Sequence, residues 1–179
     1  YGMGSTGQIV KDVHDLANKE GIDSYIAYAI SLSKPNDRNT YRIGNVLDRK
    51  LHALLCRVGG KQAYFSRCAT KRLIKYIKKI KPDIVHLHNL HGHNVNLETL
   101  FKYFKKNPQI KLVWTFHDCW TFTGYCPYYE ITSCDKWKSE CKNCPQKKDF
   151  SWFFDKSTKL QAKKKELFEG IDITITTPS

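Results

Sequence analysis

Two polar side chains, His117 and Asp118, directly follow a short apolar run, and their types and position suit them to catalysis. The run, Leu112–Phe116, is rich in residues that favour β-structure, which predicts a buried strand. In open α/β sheets, ligands bind at the carboxyl ends of the strands. An imidazole there can donate or accept a hydrogen bond near neutral pH. We therefore predict that His117 is catalytic and that Asp118 orients it. The alternative is a histidine that only anchors the following loop.

A second group of polar residues surrounds the end of the segment IVHLHN, where another strand is predicted. His86 and His88 lie two residues apart, so they share one face of that strand. The loop after the strand belongs to the same edge of the sheet as His117, which suggests contact with a substrate. Structural or hydrogen-bonding roles and a histidine metal site are the alternatives, and the metal site lacks a nearby carboxylate. The candidates for substrate contact are His88, Asn89 and His91.

A glycine loop opens the chain. Gly2, Gly4 and Gly7 satisfy the pattern G-x-G-x-x-G, whose glycines permit a tight turn and close approach to phosphate at the start of a helix. In a dinucleotide site an acidic residue holds a ribose hydroxyl at the end of the second strand. Asp23 has about the right spacing but falls at the start of that strand, which counts against NAD. A purely structural turn is the other alternative.

Four cysteines lie within a short segment after His117, spaced C-x7-C-x6-C-x2-C. Four thiolates can close a tetrahedral zinc site, and such a site is structural because no position is left for water. Free or redox-active thiols and disulfides are the alternatives. Two further cysteines, Cys56 and Cys68, lie in helical patterns and are predicted to be buried core residues. The predicted zinc ligands are Cys126, Cys134, Cys141 and Cys144.

The elements that must position these residues alternate between helix and strand along the chain, which predicts an α/β fold with a mostly parallel sheet and helices on both faces. Two helical patterns flank the pair Gly59–Gly60. The other predicted helices are Thr6–Glu20, Leu97–Lys106 and Ser157–Phe168, and the predicted strands are Asp23–Ile30, Asp83–Leu87, Ile110–Phe116 and Ile171–Thr177.

Size and charge limit the class of protein. A chain of 179 residues with 41% hydrophobic content can build one domain with a real core. It has no apolar run of membrane-spanning length and no secretory signal in its first residues, so we expect a cytoplasmic protein.

The net charge of +13 suggests a polyanionic partner. Basic residues alternate with apolar ones over 71–81, so the alternatives there are a solvated helix face and contact with an anionic membrane. Nucleic acid is not expected, because the chain has no helix-turn-helix, RNP-type or C2H2 signature.

Three segments together resemble a known family. They are TFHDCWTFTG followed by a cysteine cluster ending in CPQ, GMGSTGQIVKDVH near the start, and DITITTPS at the end. This order resembles bacterial family 4 glycosyltransferases of capsule, exopolysaccharide and lipopolysaccharide pathways, over nearly the whole chain. The resemblance implies that residues 1–179 are the Rossmann-like amino-terminal half of a GT-B enzyme. It also implies that residues 117–150 form a cysteine-rich loop, and that the first strand and the donor domain lie outside this chain.

The same resemblance implies an activity. Such enzymes move a sugar from a nucleotide-sugar to a glycan or lipid-linked acceptor, retain anomeric configuration and use no catalytic metal or other cofactor. His117 would lie against the transferred sugar, and the isolated 179 residues would be inactive. The glycine loop would contact substrate through Gly4, Ser5, Thr6 and Gly7, and the acceptor side of the cleft would be shaped by Trp120, Thr123 and Gly124. Two alternatives remain: an NAD-dependent oxidoreductase domain and a zinc-stabilised nucleic-acid-binding module.

Overall fold

A computed structural model describes residues 4–31, 35 and 38–178 of the chain. Its helices are α1 (Gly4–Lys19), α2 (Val46–Gly59), α3 (Arg67–Ile80), α4 (Leu97–Lys105), α5 (Lys147–Phe150) and α6 (Ser157–Phe168). Its strands are β1 (Ile26–Tyr28), β2 (Thr40–Arg42), β3 (Ile84–Leu87), β4 (Lys111–Thr115) and β5 (Ile173–Thr176). Within these ranges, every helix is too short or too polar to span a bilayer.

The strands form two parallel sheets. β1 pairs with β2, and β4 lies between β3 and β5 in the larger sheet. In the larger sheet Leu87, the last residue of β3, pairs with Trp114, so the loops after β3 and β4 leave the sheet side by side. This register brings the predicted histidine cluster next to the predicted catalytic residues. The α/β fold with parallel sheets is confirmed.

The core lies between the larger sheet and the helices α3, α4 and α6. Helix α4 contributes Leu100, Phe101 and Phe104, which recur at helical spacing on one face and are at most 2% exposed. Trp114 of β4 meets this face, with ring centroids 5.4 Å from Phe101. Burying side chains of this size contributes about 1.5–3 kcal/mol each. The strand that leads to the site is therefore held from beneath by a rigid aromatic core.

Local sequence signals explain where helix α2 begins and ends. The Asn45 side chain accepts a hydrogen bond from the Asp48 backbone N–H, and the Asp48 carboxylate accepts one from the Asn45 N–H. This reciprocal capping box satisfies two backbone donors that the first turn leaves unpaired. After the helix, Gly60 adopts φ +60°, a left-handed conformation in which glycine carries no steric cost.

The predicted elements match the structure in type, and two short elements were not predicted. Helix α6 begins and ends at the predicted residues, and α4 ends one residue early. The missed elements are the four-residue helix α5 and the strand β2, whose three residues directly follow the turn-prone stretch 33–39. Gly2 of the glycine loop lies outside the described residues.

Candidate functional site

A pocket lies at the carboxyl edge of β3 and β4, with an open volume of about 190 Å³. The loop after β3 supplies one wall and the loop after β4 supplies the other, because the two strands are parallel neighbours. Six of the sequence-predicted site residues line the pocket together: His88, Asn89, His91, His117, Asp118 and Trp120.

The centre of the pocket is a pair of imidazoles. His88 Nδ1 and His117 Nε2 are 2.8 Å apart, which is hydrogen-bond distance, and the two rings stack with centroids 5.2 Å apart. One of these nitrogens donates and the other accepts, so at least the accepting ring is neutral in this arrangement. The bond occupies Nε2 of His117, and Nδ1 is the ring nitrogen left for a ligand.

A chain of polar contacts across the sheet supports this pair. His86 Nε2 lies 2.7 Å from Thr115 Oγ1, and that hydroxyl lies 2.8 Å from Thr176 Oγ1. The His86 ring also contacts His88, with centroids 4.3 Å apart, as expected for residues that share one face of a strand. All three strands of the larger sheet therefore fix the orientation of the histidine pair.

Asp118 holds a different histidine from the one predicted. Its Oδ2 accepts from His91 Nε2 at 2.9 Å, and its Oδ1 accepts from the Trp120 backbone N–H at 2.9 Å. Orientation of His117 by Asp118 stays a prediction; in the structure the hydrogen-bond partner of the His117 ring is His88, from the loop after β3. Asp118 instead joins the loops after β3 and β4.

The electrostatics of the pocket keep the imidazoles neutral. Burial and, to a smaller extent, repulsion of positive charge by the nearby rings of His86 and His117 together lower the pKa of His88 to about 3. Burial also lowers the pKa of His117, although Asp118 opposes this. Burial by itself would raise the pKa of Asp118, but the hydrogen bonds from His91 and the Trp120 N–H, together with the attraction of nearby imidazolium charge, outweigh it and the net shift is downward. At neutral pH the pocket therefore offers the neutral imidazoles of His88 and His117 beside the Asp118 carboxylate.

The three residues predicted to shape the acceptor side are buried. Trp120 is 2% exposed, and its Nε1–H donates to Gln62 Oε1 at 2.8 Å. Thr123 is fully buried and its hydroxyl donates to the Cys126 carbonyl at 2.6 Å. Gly124 lies against the start of α6, where an added Cβ would come within 2.7 Å of Ser157. Trp120 also lines the pocket around His117. Substrate contact by Trp120, Thr123 and Gly124 stays a prediction.

The glycine loop residues lie at the start of α1. Gly4 has φ +61°, which favours glycine, and an added Cβ there would meet nothing within 4 Å. The first turn also contains Ser5, Thr6 and Gly7. The first backbone N–H groups of a helix have no partner within it, so this turn can receive an anionic group. Substrate contact by these residues stays a prediction.

The four predicted zinc ligands surround one pocket in the loop after β4. Its open volume is about 290 Å³, and Cys126, Cys134, Cys141 and Cys144 all line it. All seven cysteines of the chain are free thiols. Burial raises the pKa of Cys144 to about 11, which argues against the alternative of reactive thiols. Elsewhere, Cys56 is buried as predicted, but the prediction for Cys68 is wrong because it lies on the exposed side of α3.

Sequence patterns missed two groups of residues. Lys164 belongs to a run of three lysines that suggests a solvated face, yet it is 1% exposed and its Nζ donates to the Trp120 carbonyl. The other group is His52, Cys56 and His93, whose potential ligand atoms all lie within 4.8 Å of one another. Among the described residues no other three potential metal ligands are this close. The spacing of His52 and Cys56, one helical turn apart, was the available signal.

Fold and site together define a Rossmann-like α/β domain whose ligand pocket lies at the carboxyl ends of parallel strands. The chain belongs to Glycosyltransferase Family 4, since the sequence model of that family matches residues 18–157. This membership supports the predicted resemblance over the oxidoreductase and nucleic-acid-binding alternatives.

A curated relative gives the same family context. The chain is 26% identical over 176 residues to a protein of Escherichia coli (strain K12) described as "Putative colanic acid biosynthesis glycosyl transferase WcaC". The match covers 92% of this chain and 42% of the relative, so the chain spans less than half the length of that protein. No solved structure is a significant match to the chain.

Proposed function

We propose that this chain is the acceptor-side half of a retaining glycosyltransferase, of the hexosyltransferase type, that acts in cell-surface polysaccharide biosynthesis. The donor is a nucleotide-sugar, and the acceptor is a glycan or a lipid-linked glycan. The observation that carries this proposal is the neutral His88–His117 pair, set in a pocket at the strand ends of a Family 4 chain.

In the proposed reaction the acceptor oxygen forms a bond to the anomeric carbon as the bond from that carbon to the nucleoside diphosphate breaks. The hydroxyl proton of the acceptor leaves with the diphosphate. His117 contributes through Nδ1, which donates to or accepts from a hydroxyl of the transferred sugar while His88 holds the ring. Asp118 acts indirectly, because it holds His91 and keeps the two loops together.

The proposed division of labour leaves this chain without activity by itself. The only acidic side chain that lines the described pocket is Asp118, and no lysine or arginine that could hold a diphosphate lines it. The remainder of the protein would bind the donor, and no catalytic metal is required. We expect residues 1–179 alone to bind acceptor weakly and to transfer nothing.

The test is sugar transfer by the complete protein, offered a panel of nucleotide-sugars with membrane lipid extract. A positioned acid–base or hydrogen-bonding group contributes about 10²–10⁴-fold to a rate, so His117→Ala should lose at least 10²-fold. His88→Asn should lose less, because an amide can still hold His117. Cys68→Ser is the control, since Cys68 is exposed and lies outside the pocket. Unchanged transfer by a folded His117→Ala variant would contradict the proposal.

We further propose peripheral contact with the anionic inner face of a membrane, through the basic face of α3. Its apolar residues Leu73 and Ile77 are buried in the core, which leaves the lysines outward. The exposed basic residues of this helix are Arg67, Lys71, Arg72, Lys75, Lys78 and Lys79. Such contact is electrostatic and weakens with salt.

Sedimentation with vesicles tests this contact. The protein should bind anionic vesicles more than neutral ones, and Lys75→Glu with Lys79→Glu should reduce the bound fraction. Lys159→Glu on α6 is the control: it changes the charge by the same amount as either single substitution, Lys75→Glu or Lys79→Glu. Equal binding by the variant, or equally strong binding to an oligonucleotide, would argue against a lipid partner.

The four cysteines of the loop support a separate proposal, a structural zinc ion. They surround one pocket, and Cys141 Sγ already accepts a hydrogen bond from the Gly124 N–H at 3.3 Å, a contact that suits a thiolate. Four thiolates around Zn²⁺ leave a net negative charge. The buried Lys164 lies where it offsets this charge, because Cys126 and Cys141 favour its charged form although burial lowers its pKa to about 7.

Zinc content tests this second proposal. Cys144→Ser should lose one equivalent of zinc per chain and should also lower the melting temperature. Cys68→Ser should change neither quantity, because its thiol is exposed and outside the cluster. Retention of the same zinc content by Cys144→Ser and Cys134→Ser would refute it.

A further inference from the structure

A cluster of three potential metal ligands lies apart from the pocket around His117 and from the four cysteines of the loop after β4. His52 and Cys56 are on the same face of α2, one turn apart, and His93 comes from the loop between β3 and α4. Their ligand atoms all lie within 4.8 Å of one another. None of the three lines the pocket around His117.

Two nitrogens of this cluster have no partner although they are buried. His52 is 1% exposed, and its Nε2 makes no hydrogen bond. The Nδ1 atom of His93 is also buried and makes no hydrogen bond. A buried polar atom without a partner is destabilising, so native structures rarely leave one. Both of these nitrogens belong to rings that approach the Cys56 thiol closely enough to share one ion with it. A bound cation would satisfy both.

The surroundings fix the ligands in a geometry that suits a metal. His52 Nδ1 lies 2.7 Å from Ser66 Oγ, so the hydroxyl can accept the Nδ1 proton and leave the lone pair on Nε2. Metal-binding histidines use their second nitrogen in this way. His93 has φ +56°, a strained conformation for a residue with a Cβ. Such strain persists where the surrounding structure over-determines it, often at functional sites.

We propose that His52, Cys56 and His93 bind one divalent transition-metal ion of the Zn²⁺ class. Two imidazoles and one thiolate are borderline-soft ligands that suit Zn²⁺ and leave a fourth tetrahedral position for water. On binding, the Cys56 S–H, which now points to the Lys61 carbonyl at 3.5 Å, loses its proton to solvent and a sulfur–metal bond forms.

The ion stabilises the loop that forms one wall of the pocket around His117. The loop between β3 and α4, which carries His93, also carries His88 and His91. The partners of these two residues are His117 and Asp118. An ion bound by His93 together with His52 and Cys56 would fix this loop to α2. This role is one of positioning, since the ligands lie outside the pocket.

The experiment measures metal binding directly on the complete protein, independently of sugar transfer. Chelator-treated protein is titrated with Zn²⁺, and with Co²⁺ as a spectroscopic probe for thiolate ligation. We expect Cys56→Ser and His93→Asn each to bind one ion fewer per chain than wild type and to lose part of the thiolate-to-Co²⁺ band. Asn tolerates the positive φ at position 93, so this variant should keep its fold.

The control variants separate this ion from one held by the loop cysteines. Cys68→Ser should bind as many ions per chain as wild type. Cys144→Ser should lose the ion held by the loop cysteines, and adding Cys56→Ser to it should remove one further ion. The inference is overturned if wild type, Cys56→Ser and His93→Asn bind the same number of ions. It is also overturned if His93→Asn alone keeps the full complement, since the three ligands act together.

Discussion

A methyl group added at Gly124 tests how closely the loop after β4 presses on α6. The Cβ of alanine at this position would lie 2.7 Å from both the Cβ and the carbonyl oxygen of Ser157, and 2.8 Å from its Cα. Ordinary contacts begin at 3.4 Å, so the atoms must separate by about 0.7 Å. Ser157 is 1% exposed and opens α6, and two of the atoms in question are backbone. Neither side can therefore relax by a rotamer change.

Overpacking of this kind costs about 1–3 kcal/mol. In a domain of this length each kcal/mol lowers the melting temperature by roughly 2–4 °C, so Gly124→Ala should melt about 2–12 °C below wild type. Urea unfolding followed by tryptophan fluorescence should show a lower midpoint with an unchanged slope, because the surface exposed on unfolding is the same.

Gly59→Ala is the matched control. Gly59 ends α2, and an added Cβ there would lie 3.6 Å from the Phe65 ring, which is ordinary contact. Alanine should leave stability unchanged or raise it by up to about 1 kcal/mol, because it restricts the unfolded chain. If Gly124→Ala proves as stable as Gly59→Ala, the close packing of the loop on α6 is refuted.

Two further predictions concern the polar interior. The pKa of His88 is lowered to about 3, so the unfolded chain binds more protons than the folded one between that value and about 6.5. Stability should fall as the pH drops through this window, by at most about 1.4 kcal/mol per pH unit from this residue, and unfolding midpoints of His88→Asn should vary less with pH. Trp120→Phe should cost about 1–3 kcal/mol in urea unfolding, because it leaves Gln62 Oε1 buried without a donor. Wild-type stability in Trp120→Phe, or the same pH dependence in both proteins, would contradict these expectations.

Much of the fold follows from periodicity in the sequence. Helix α4 places Leu100, Phe101 and Phe104 on one face, and its limits were predictable from that spacing. The strand β4 was predictable from its apolar, β-rich composition. β2 escaped prediction because three residues are too few to show an alternating pattern.

Pairings between distant residues escaped prediction for a different reason. The contact of Asp118 with His91 joins residues 27 positions apart, and the contact of Trp120 with Gln62 joins residues 58 apart. Both depend on which loops leave the sheet side by side and how deeply each side chain is buried. An aromatic residue in a polar loop has the same sequence signature whether it faces a ligand or the core.

Most helices and strands, the basic character of the chain, and the convergence of His88 and His117 at one edge of a parallel sheet were predictable from the residues alone. These properties depend on composition, on local spacing and on a general rule of parallel sheets. Three other properties became visible only in the folded chain: His88 is the hydrogen-bond partner of His117, Lys164 is buried, and His52 and Cys56 meet His93. Hydrogen-bond partners and burial are properties of packed surfaces, and residues far apart in sequence become neighbours only when those surfaces close.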